Sequence, residues 1–188
     1  MEANVNLEED YVGFLDESSV VSMPNKRRVL NTKVVKYTQT TSGKKSRRSK
    51  SLFGFMFLNG EDVVMMVDKG NSQSLIESLK IVRKTNKSKR IILICDNAKI
   101  HHAKITKAFL DDENIVFVHL PPYSPDLNPI EFGWKDVKKG LSRYLIFDDM
   151  IENAETVAFE KISSNKQGYT KVWTKKFMKD DNNEKLVD

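Results

Sequence analysis

The chain has 188 residues, which is enough for one domain with a substantial core but short for two. Its composition, with 39% hydrophobic and 30% charged residues and a net charge of +5, is that of an ordinary soluble protein. The apolar runs at 52–58 and 91–95 are too short to span a bilayer, and the acidic start of the chain does not look like a signal peptide. We therefore expect no membrane anchor and no secretion signal.

The first third of the chain predicts three strands. Residues 11–16 form an apolar run that ends on a carboxylate. Two further runs, 51–58 and 62–67, flank Asn59-Gly60, a dipeptide typical of tight hairpin turns. The second and third strands should therefore be antiparallel neighbours.

A basic segment lies between the first and second predicted strands. Residues 26–50 contain ten basic side chains and no acidic one, so subtracting them from the net charge of +5 leaves −5 for the rest of the chain. This distribution is typical of contact with a phosphate backbone, although a solvated, partly disordered loop has the same pattern. The basic side chains are Lys26, Arg27, Arg28, Lys33, Lys36, Lys44, Lys45, Arg47, Arg48 and Lys50.

The middle of the chain predicts a helix followed by a buried strand. A helix capped by Asn71 or Ser72 should end near Asn86. The run at 91–95 has no polar alternation, which is typical of a strand buried on both faces. It contains the only cysteine, Cys95, so we expect no internal disulfide and a reducing compartment, the cytoplasm, with nucleoid association in a prokaryote.

The rest of the chain completes an α/β fold class. We expect a helix at 103–111, a buried strand at 115–120, a helix that starts at Asn128, a helix at 147–162 and a frayed polar tail at 179–188. Three strands followed by alternating helices and strands predict a mixed five-stranded sheet with helices on both faces. A single domain should span residues 1–178.

Three carboxylates, Asp16, Asp96 and Glu131, lie where predicted strands end or a helix begins. In open α/β sheets, sites form beyond strand ends, so side chains that are distant in sequence can converge there. Clustered carboxylates repel one another unless cations are present, and oxygen ligands suit Mg²⁺ or Mn²⁺. The sequence lacks the His and Cys spacing of zinc sites.

Asp16 and Asp96 each also have a purely structural interpretation. Asp16 could end a strand, and the neighbouring Glu17 is an equally good carboxylate. Asp96 and Asn97 could form a turn, because both side chains bond readily to nearby backbone groups. Local sequence leaves both interpretations open.

Glu131 has a stronger structural alternative. Asn128 at the N-cap, Pro129 at the first helical position and Glu131 at the third would form a capping box. Glu131 could also pair with Lys135, one helical turn later. Taken alone, the local sequence favours the capping interpretation.

Polar and aromatic side chains follow the carboxylates in sequence. We expect Asn97, His101 and His102 beside the site, with the two histidines at the start of a helix; direct roles as ligand, proton carrier or phosphate contact are the alternative. Trp134 and Phe132 should pack the later helix onto the sheet, with base stacking as the alternative.

Two runs, at 96–103 and 120–135, closely resemble the catalytic core of mariner-like transposases and related bacterial insertion-sequence transposases of the DDE superfamily. The 34 residues between Asp96 and Glu131 agree with that family, and the run at 14–18 looks like its first catalytic motif. The resemblance covers residues 11–143.

The resemblance implies a ribonuclease-H-like fold and a two-metal site. Asp16, Asp96 and Glu131 match the catalytic acids that bind two divalent cations, Mg²⁺ or Mn²⁺. The implied reaction is phosphodiester hydrolysis at transposon ends, followed by transfer of the freed 3′ end into target DNA. The implied DNA-binding residues are Lys26, Arg27, Arg28, Lys44, Lys45, Arg47 and Arg48, extended by Lys135, Lys138, Lys139 and Arg143, whose alternative is a solvated helix face.

The chain departs from the family pattern at its start. Such transposases usually carry a helix-turn-helix region before the first acid, but only fifteen residues precede Asp16. The source of sequence-specific recognition of transposon ends is therefore open, because recognition helices supply base contacts while a catalytic core mostly contacts the backbone. The expected partners are DNA and either a second copy of the chain or an upstream helix-turn-helix subunit. The alternatives are a truncated, non-cutting form that binds DNA or a full-length partner, and a different ribonuclease-H-like nuclease.

Overall fold

The computed structural model describes residues 5–21, 49–122, 124–144 and 147–177. Within these ranges, the order of strands and α-helices is the one that the sequence predicts. The elements are β1 (Asp10–Val21), β2 (Ser49–Phe57), β3 (Val63–Val67), α1 (Ser72–Thr85), β4 (Arg90–Cys95), α2 (Lys104–Asp112), β5 (Ile115–His119), α3 (Ile130–Leu141) and α4 (Phe147–Phe177). Two short 3-10 helices, Lys99–His102 and Pro125–Leu127, were not predicted.

The five strands form one mixed sheet in the order β3-β2-β1-β4-β5. The hairpin of β2 and β3 is antiparallel, as predicted, and β2 also runs antiparallel to β1. Strands β1, β4 and β5 are parallel to one another. The carboxyl ends of β1, β4 and β5 therefore lie at the same edge of the sheet.

Helices cover both faces of the sheet, which confirms the predicted fold class. On one face, Phe14, Met56 and Ile92 belong to a core that includes residues of α3 and α4. On the other face, Leu15 and Leu93 belong to a core that includes residues of α1 and α2. Because side chains alternate along a strand, neighbouring residues such as Phe14 and Leu15 serve different cores.

Strand β1 is longer than the sequence predicts. It continues to Val21 because β2 pairs with it over its whole second half, from Asp16 opposite Gly54 to Val21 opposite Ser49. Asp16 therefore lies inside a strand, and the prediction that it ends one is wrong. The parallel pairing with β4 nevertheless stops at Phe14. Asp16 thus lies just beyond the last parallel pair.

Two further predictions about elements are wrong. Strand β5 is not buried on both faces, because it is the edge strand: its three middle residues are half-buried and His119 is exposed. Helix α4 continues to Phe177 instead of ending at residue 162. Its second half stays attached to the core because Trp173 packs edge-on against Phe14, with ring centroids 4.9 Å apart.

Within the described ranges, no helix is both long and apolar enough to cross a bilayer. The predicted tail at 179–188 lies outside the described residues.

Candidate active site

Asp16 and Glu17 point to opposite faces of β1. Asp16 is half-buried on the face covered by α3, where Trp134 lies next to it. Glu17 is exposed, and its carboxylate lies against Gly70 on the other side. The strand alternation therefore separates the two carboxylates, and only Asp16 can face a site beside α3.

Asp96 follows β4 directly, and its side chain is exposed. Its Oδ1 accepts a hydrogen bond from the backbone N–H of Ala98 at 3.0 Å, so the predicted turn forms. The amide of Asn97 donates to the carbonyl of Leu120 at 2.7 Å. This contact joins the ends of β4 and β5 and places Asn97 beside Asp96, as predicted.

Glu131 does not belong to a capping box. Helix α3 begins at Ile130, and no side chain caps its first turn. The amide of Asn128 is buried and donates instead to the carbonyl of Leu15 at 3.2 Å, which anchors the start of α3 to β1. The capping prediction is wrong because the Asn128 side chain is directed toward β1, and its Oδ1 accepts no hydrogen bond from the first turn of α3.

The predicted pairing of Glu131 with Lys135 is also wrong. The Lys135 Nζ lies over the ring of Phe132, 4.8 Å from its centroid. Phe132 is 42% exposed and does not pack α3 onto the sheet, whereas Trp134 is buried and does. Within the described residues, the half-buried carboxylate of Glu131 therefore has no side-chain partner that would explain its position.

The three carboxylates act on one another electrostatically. The pKa of Asp16 is raised to about 7, first because burial disfavours its charged form and next because of the negative charge of Glu131. Asp96 adds to the increase. A hydrogen bond from the backbone N–H of Glu17 and the nearby indole of Trp134 oppose it. The fold thus brings together the three acids that the sequence singled out.

Trp134 lies over the sheet beside Asp16 because residue 54 is a glycine. Gly54 is the β2 partner of Asp16, and a Cβ placed on it would be 2.7 Å from Cζ2 of Trp134. The indole N–H makes no hydrogen bond of normal geometry, although it lies close enough to Asp16 to lower the pKa of that carboxyl. The sequence contains a signal for this contact that we did not use. A glycine inside a strand often marks a place where another group approaches the strand backbone closely.

Replacing Gly54 by alanine is expected to lower the free energy of unfolding by about 1–3 kcal/mol, because the added methyl group would push against the buried indole. Gly168→Ala is the matched control, since no atom lies within 4 Å of a Cβ at that helical position. Urea denaturation of both variants measures the difference. Equal stability of the two variants would contradict the close contact with Trp134.

The donor set of the three acids fits a hard divalent cation. Carboxylate oxygens are the ligands that Mg²⁺ and Mn²⁺ prefer, and half-buried carboxylates close to one another need positive charge to remain ionised together. A cation beside Asp16 would supply that charge.

Two histidines contact the main chain of Asp96. The Nδ1 atoms of His101 and His119 each lie 3.0 Å from its carbonyl oxygen, and Nδ1 of His101 is also 3.3 Å from Oδ1 of Asp96. His102 is exposed and its ring centroid is 4.4 Å from that of His119. His101 and His102 lie near Asp96, as predicted, but in the 3-10 helix Lys99–His102 rather than at the start of α2.

The structure describes only some of the basic residues that the sequence predicts to bind DNA. Three lysines of α3, the helix that carries Glu131, are exposed, and so is Arg143 just after it. Lys50 forms an ion pair with Asp68. The exposed lysines of α3 are Lys135, Lys138 and Lys139. The predicted DNA-binding residues Lys26, Arg27, Arg28, Lys44, Lys45, Arg47 and Arg48 lie outside the described residues.

Comparisons with known proteins identify a family and a fold. A family model described as DDE superfamily endonuclease matches residues 11–152. The Mos1 mariner paired-end complex with Mn is similar in structure, with a TM-score of 0.56 and 16% identity over 90% of this chain and 56% of that one. No curated protein sequence matches the chain.

Two other solved structures have the same fold. The catalytic domain of Mos1 mariner transposase has a TM-score of 0.51 and 13% identity, over 90% of this chain and 82% of that one. A chain of the simian T-cell lymphotropic virus intasome, in complex with PP2A regulatory subunit B56 gamma, has a TM-score of 0.55 and 15% identity, over 80% and 47%. The chain thus spans about half the length of the intasome and paired-end complex chains. The shared fold is the ribonuclease-H-like fold of transposase catalytic cores.

Proposed function

The chain belongs to the DDE superfamily of endonucleases, and from that premise we propose that it is a transposase catalytic domain that hydrolyses DNA phosphodiester bonds at transposon ends. The second step of the proposed reaction joins the freed 3′ end to target DNA. The observation that carries the proposal is the convergence of Asp16, Asp96 and Glu131, seen in the raised pKa of Asp16. The similar Mos1 structures include a strand transfer complex, which supports the second step.

Asp16, Asp96 and Glu131 would hold a pair of Mg²⁺ or Mn²⁺ ions. When bound, such ions activate the attacking oxygen and stabilise the leaving oxygen of an in-line displacement. Structures of Mos1 with Mn and with Mg support this choice of cation. The chain's own contribution is to hold the three carboxylates: β1 presents Asp16, the Ala98 N–H orients Asp96, and Asn128 anchors the helix of Glu131 to β1.

DNA would approach from the side of α3. This helix carries Glu131 in its first turn and exposed lysines at Lys135, Lys138 and Lys139. Lysines that neutralise backbone phosphates bind DNA without reading its sequence. We assign the same role to the basic segment at 26–50, and the paired-end complexes of Mos1 support transposon ends as the ligand.

A nicking assay tests the proposed chemistry. We expect purified protein to nick supercoiled plasmid DNA with Mn²⁺ or Mg²⁺ and not with EDTA, and Asp96→Ala to abolish nicking. Asp112→Ala is the control, because Asp112 is an exposed carboxylate at the end of α2. Competition between duplex DNA, branched DNA and RNA–DNA hybrid identifies the preferred substrate.

Two outcomes would contradict the proposal. Equal nicking by wild type and Asp96→Ala would show that the activity comes from a contaminant. DNA binding by a wild-type protein that does not nick under any metal condition would instead identify a non-cutting form that binds DNA.

A further inference from the structure

A second group of potential ligands lies beside the carboxylates but uses different chemistry. Cys95, His101 and His119 each offer one ligand atom, and these three atoms lie within 4.8 Å of one another. Cys95 belongs to the core beneath α1 and α2, on the face of the sheet opposite α3. The group therefore adjoins the carboxylate site at Asp96, whose main chain both histidines contact, but its own ligand atoms come from different residues.

The spacing of the closest pair matches a tetrahedral metal site. Sγ of Cys95 is 3.6 Å from Nδ1 of His119. With metal–sulfur and metal–nitrogen bonds of about 2.3 and 2.0–2.1 Å, two ligands at the tetrahedral angle lie roughly 3.6 Å apart. The ligand atom of His101 lies within 4.8 Å of the other two ligand atoms. A movement on the order of 1 Å would bring it to the tetrahedral separation from both.

The surroundings hold the two histidine rings in place. The carbonyl oxygen of Asp96 lies 3.0 Å from Nδ1 of both His101 and His119, and these contacts orient the two rings in the metal-free protein. The ring of His101 is buried and packs edge-on against Phe117, with centroids 5.4 Å apart. The fold therefore holds both rings near Cys95, and coordination through Nδ1 of His119 would replace its contact with the Asp96 carbonyl.

The two histidines of the group border a cavity. A cavity of about 280 Å³ is lined by His101 and His119, together with Phe117, Lys107 and Asp111. His119 is exposed and His101 is buried, whereas Cys95 is fully buried and does not line the cavity. The cavity has room for a water molecule, which would complete a site with three protein ligands.

We propose that Cys95, His101 and His119 form a binding site for a thiophilic divalent cation such as Zn²⁺. A thiolate and two imidazoles suit zinc, whereas Mg²⁺ and Mn²⁺ prefer the oxygen ligands of the carboxylate site. On binding, the Cys95 thiol releases its proton to solvent, and the Nδ1 proton of His119 moves to Nε2 so that Nδ1 can coordinate. A bound metal would link the 3-10 helix Lys99–His102 to the ends of β4 and β5, which already pair with each other in the sheet.

Cobalt titration tests this site without any need for DNA cleavage. Co²⁺ added to metal-free wild-type protein should give a thiolate-to-cobalt charge-transfer band that saturates at one equivalent and disappears when Zn²⁺ is added. Cys95→Ser should lose the band, and His119→Gln should weaken Co²⁺ binding by at least about 10-fold. Carboxylate-bound Co²⁺ gives no such band, so the two sites are distinguishable.

His102→Gln is the matched control, because His102 is an exposed histidine whose ring stacks on His119 without belonging to the group. It should bind Co²⁺ as wild type does. Circular dichroism verifies that each variant is folded. Absence of the band in folded wild-type protein, or its persistence in Cys95→Ser, would overturn the proposal and leave only a contact between a thiol and an imidazole.

Discussion

Replacing Glu131 with glutamine is expected to lower the rate of metal-dependent nicking by at least about 100-fold while leaving the metal-free fold intact. Residues that only hydrogen-bond to metal ligands already contribute about 10–100-fold, so the loss of a proposed ligand should cost at least as much. Stability should not fall, because α3 has no side-chain cap and Glu131 has no side-chain partner in the described part of the chain. Removing its charge also relieves repulsion of Asp16.

The measurement combines initial nicking rates in Mn²⁺ with urea denaturation in EDTA. Glu155→Gln is the control, because it removes the same charge from an exposed position on α4. A capping residue would behave in the opposite way: its loss would lower stability by about 1 kcal/mol and leave the nicking rate nearly unchanged. That result would remove Glu131 from the proposed active site.

The metal-free protein should become less stable as the pH rises from about 4 to about 7, because of Asp16. Its folded-state pKa of about 7 lies above the unfolded value of 3.8, so the folded protein holds a proton that the unfolded chain releases. This contribution to stability is fully present below pH 4 and is lost as the pH rises through 7. It amounts to at most about 4 kcal/mol.

Urea denaturation in EDTA across this pH range, for wild type and Asp16→Asn, measures the effect. In the variant, the free energy of unfolding should not decrease between pH 4 and 7. Above pH 7, Mg²⁺ or Mn²⁺ should stabilise only the wild type. Glu17→Gln is the control, because the neighbouring carboxylate is exposed on the other face of β1. Identical pH dependence in wild type and Asp16→Asn would show that neither burial nor the neighbouring charges raise the pKa of Asp16 in the folded protein.

The two predictions depend on contacts between segments that are far apart in sequence. Asn128 illustrates the point: its local sequence matches a capping residue, yet its amide donates to Leu15, 113 residues earlier in the chain. A buried amide is stabilised by any suitable carbonyl, and the tertiary structure supplies one that the local sequence does not contain. The same contact releases Glu131 from a capping role.

The order of strands and helices could be predicted because it depends on local patterns. Apolar runs without alternation, such as 91–95, identify buried strands, and the Asn71 side chain caps α1 as predicted by accepting from the N–H of Ser74. Boundaries were less predictable. Strand β1 continues to Val21 because β2 pairs with it, and α4 continues to Phe177 because it packs on the sheet.

By itself, the sequence determined which acids to consider and the family to which they belong, because residue types and spacing are local properties of the chain. Only the tertiary structure decided that Asp16 rather than Glu17 faces α3, since side-chain direction depends on how β1 pairs with its neighbours. It also brought His119 to Cys95 by pairing β4 with β5 in parallel register. No local spacing rule reveals such a group, because its members meet only where two strands lie side by side.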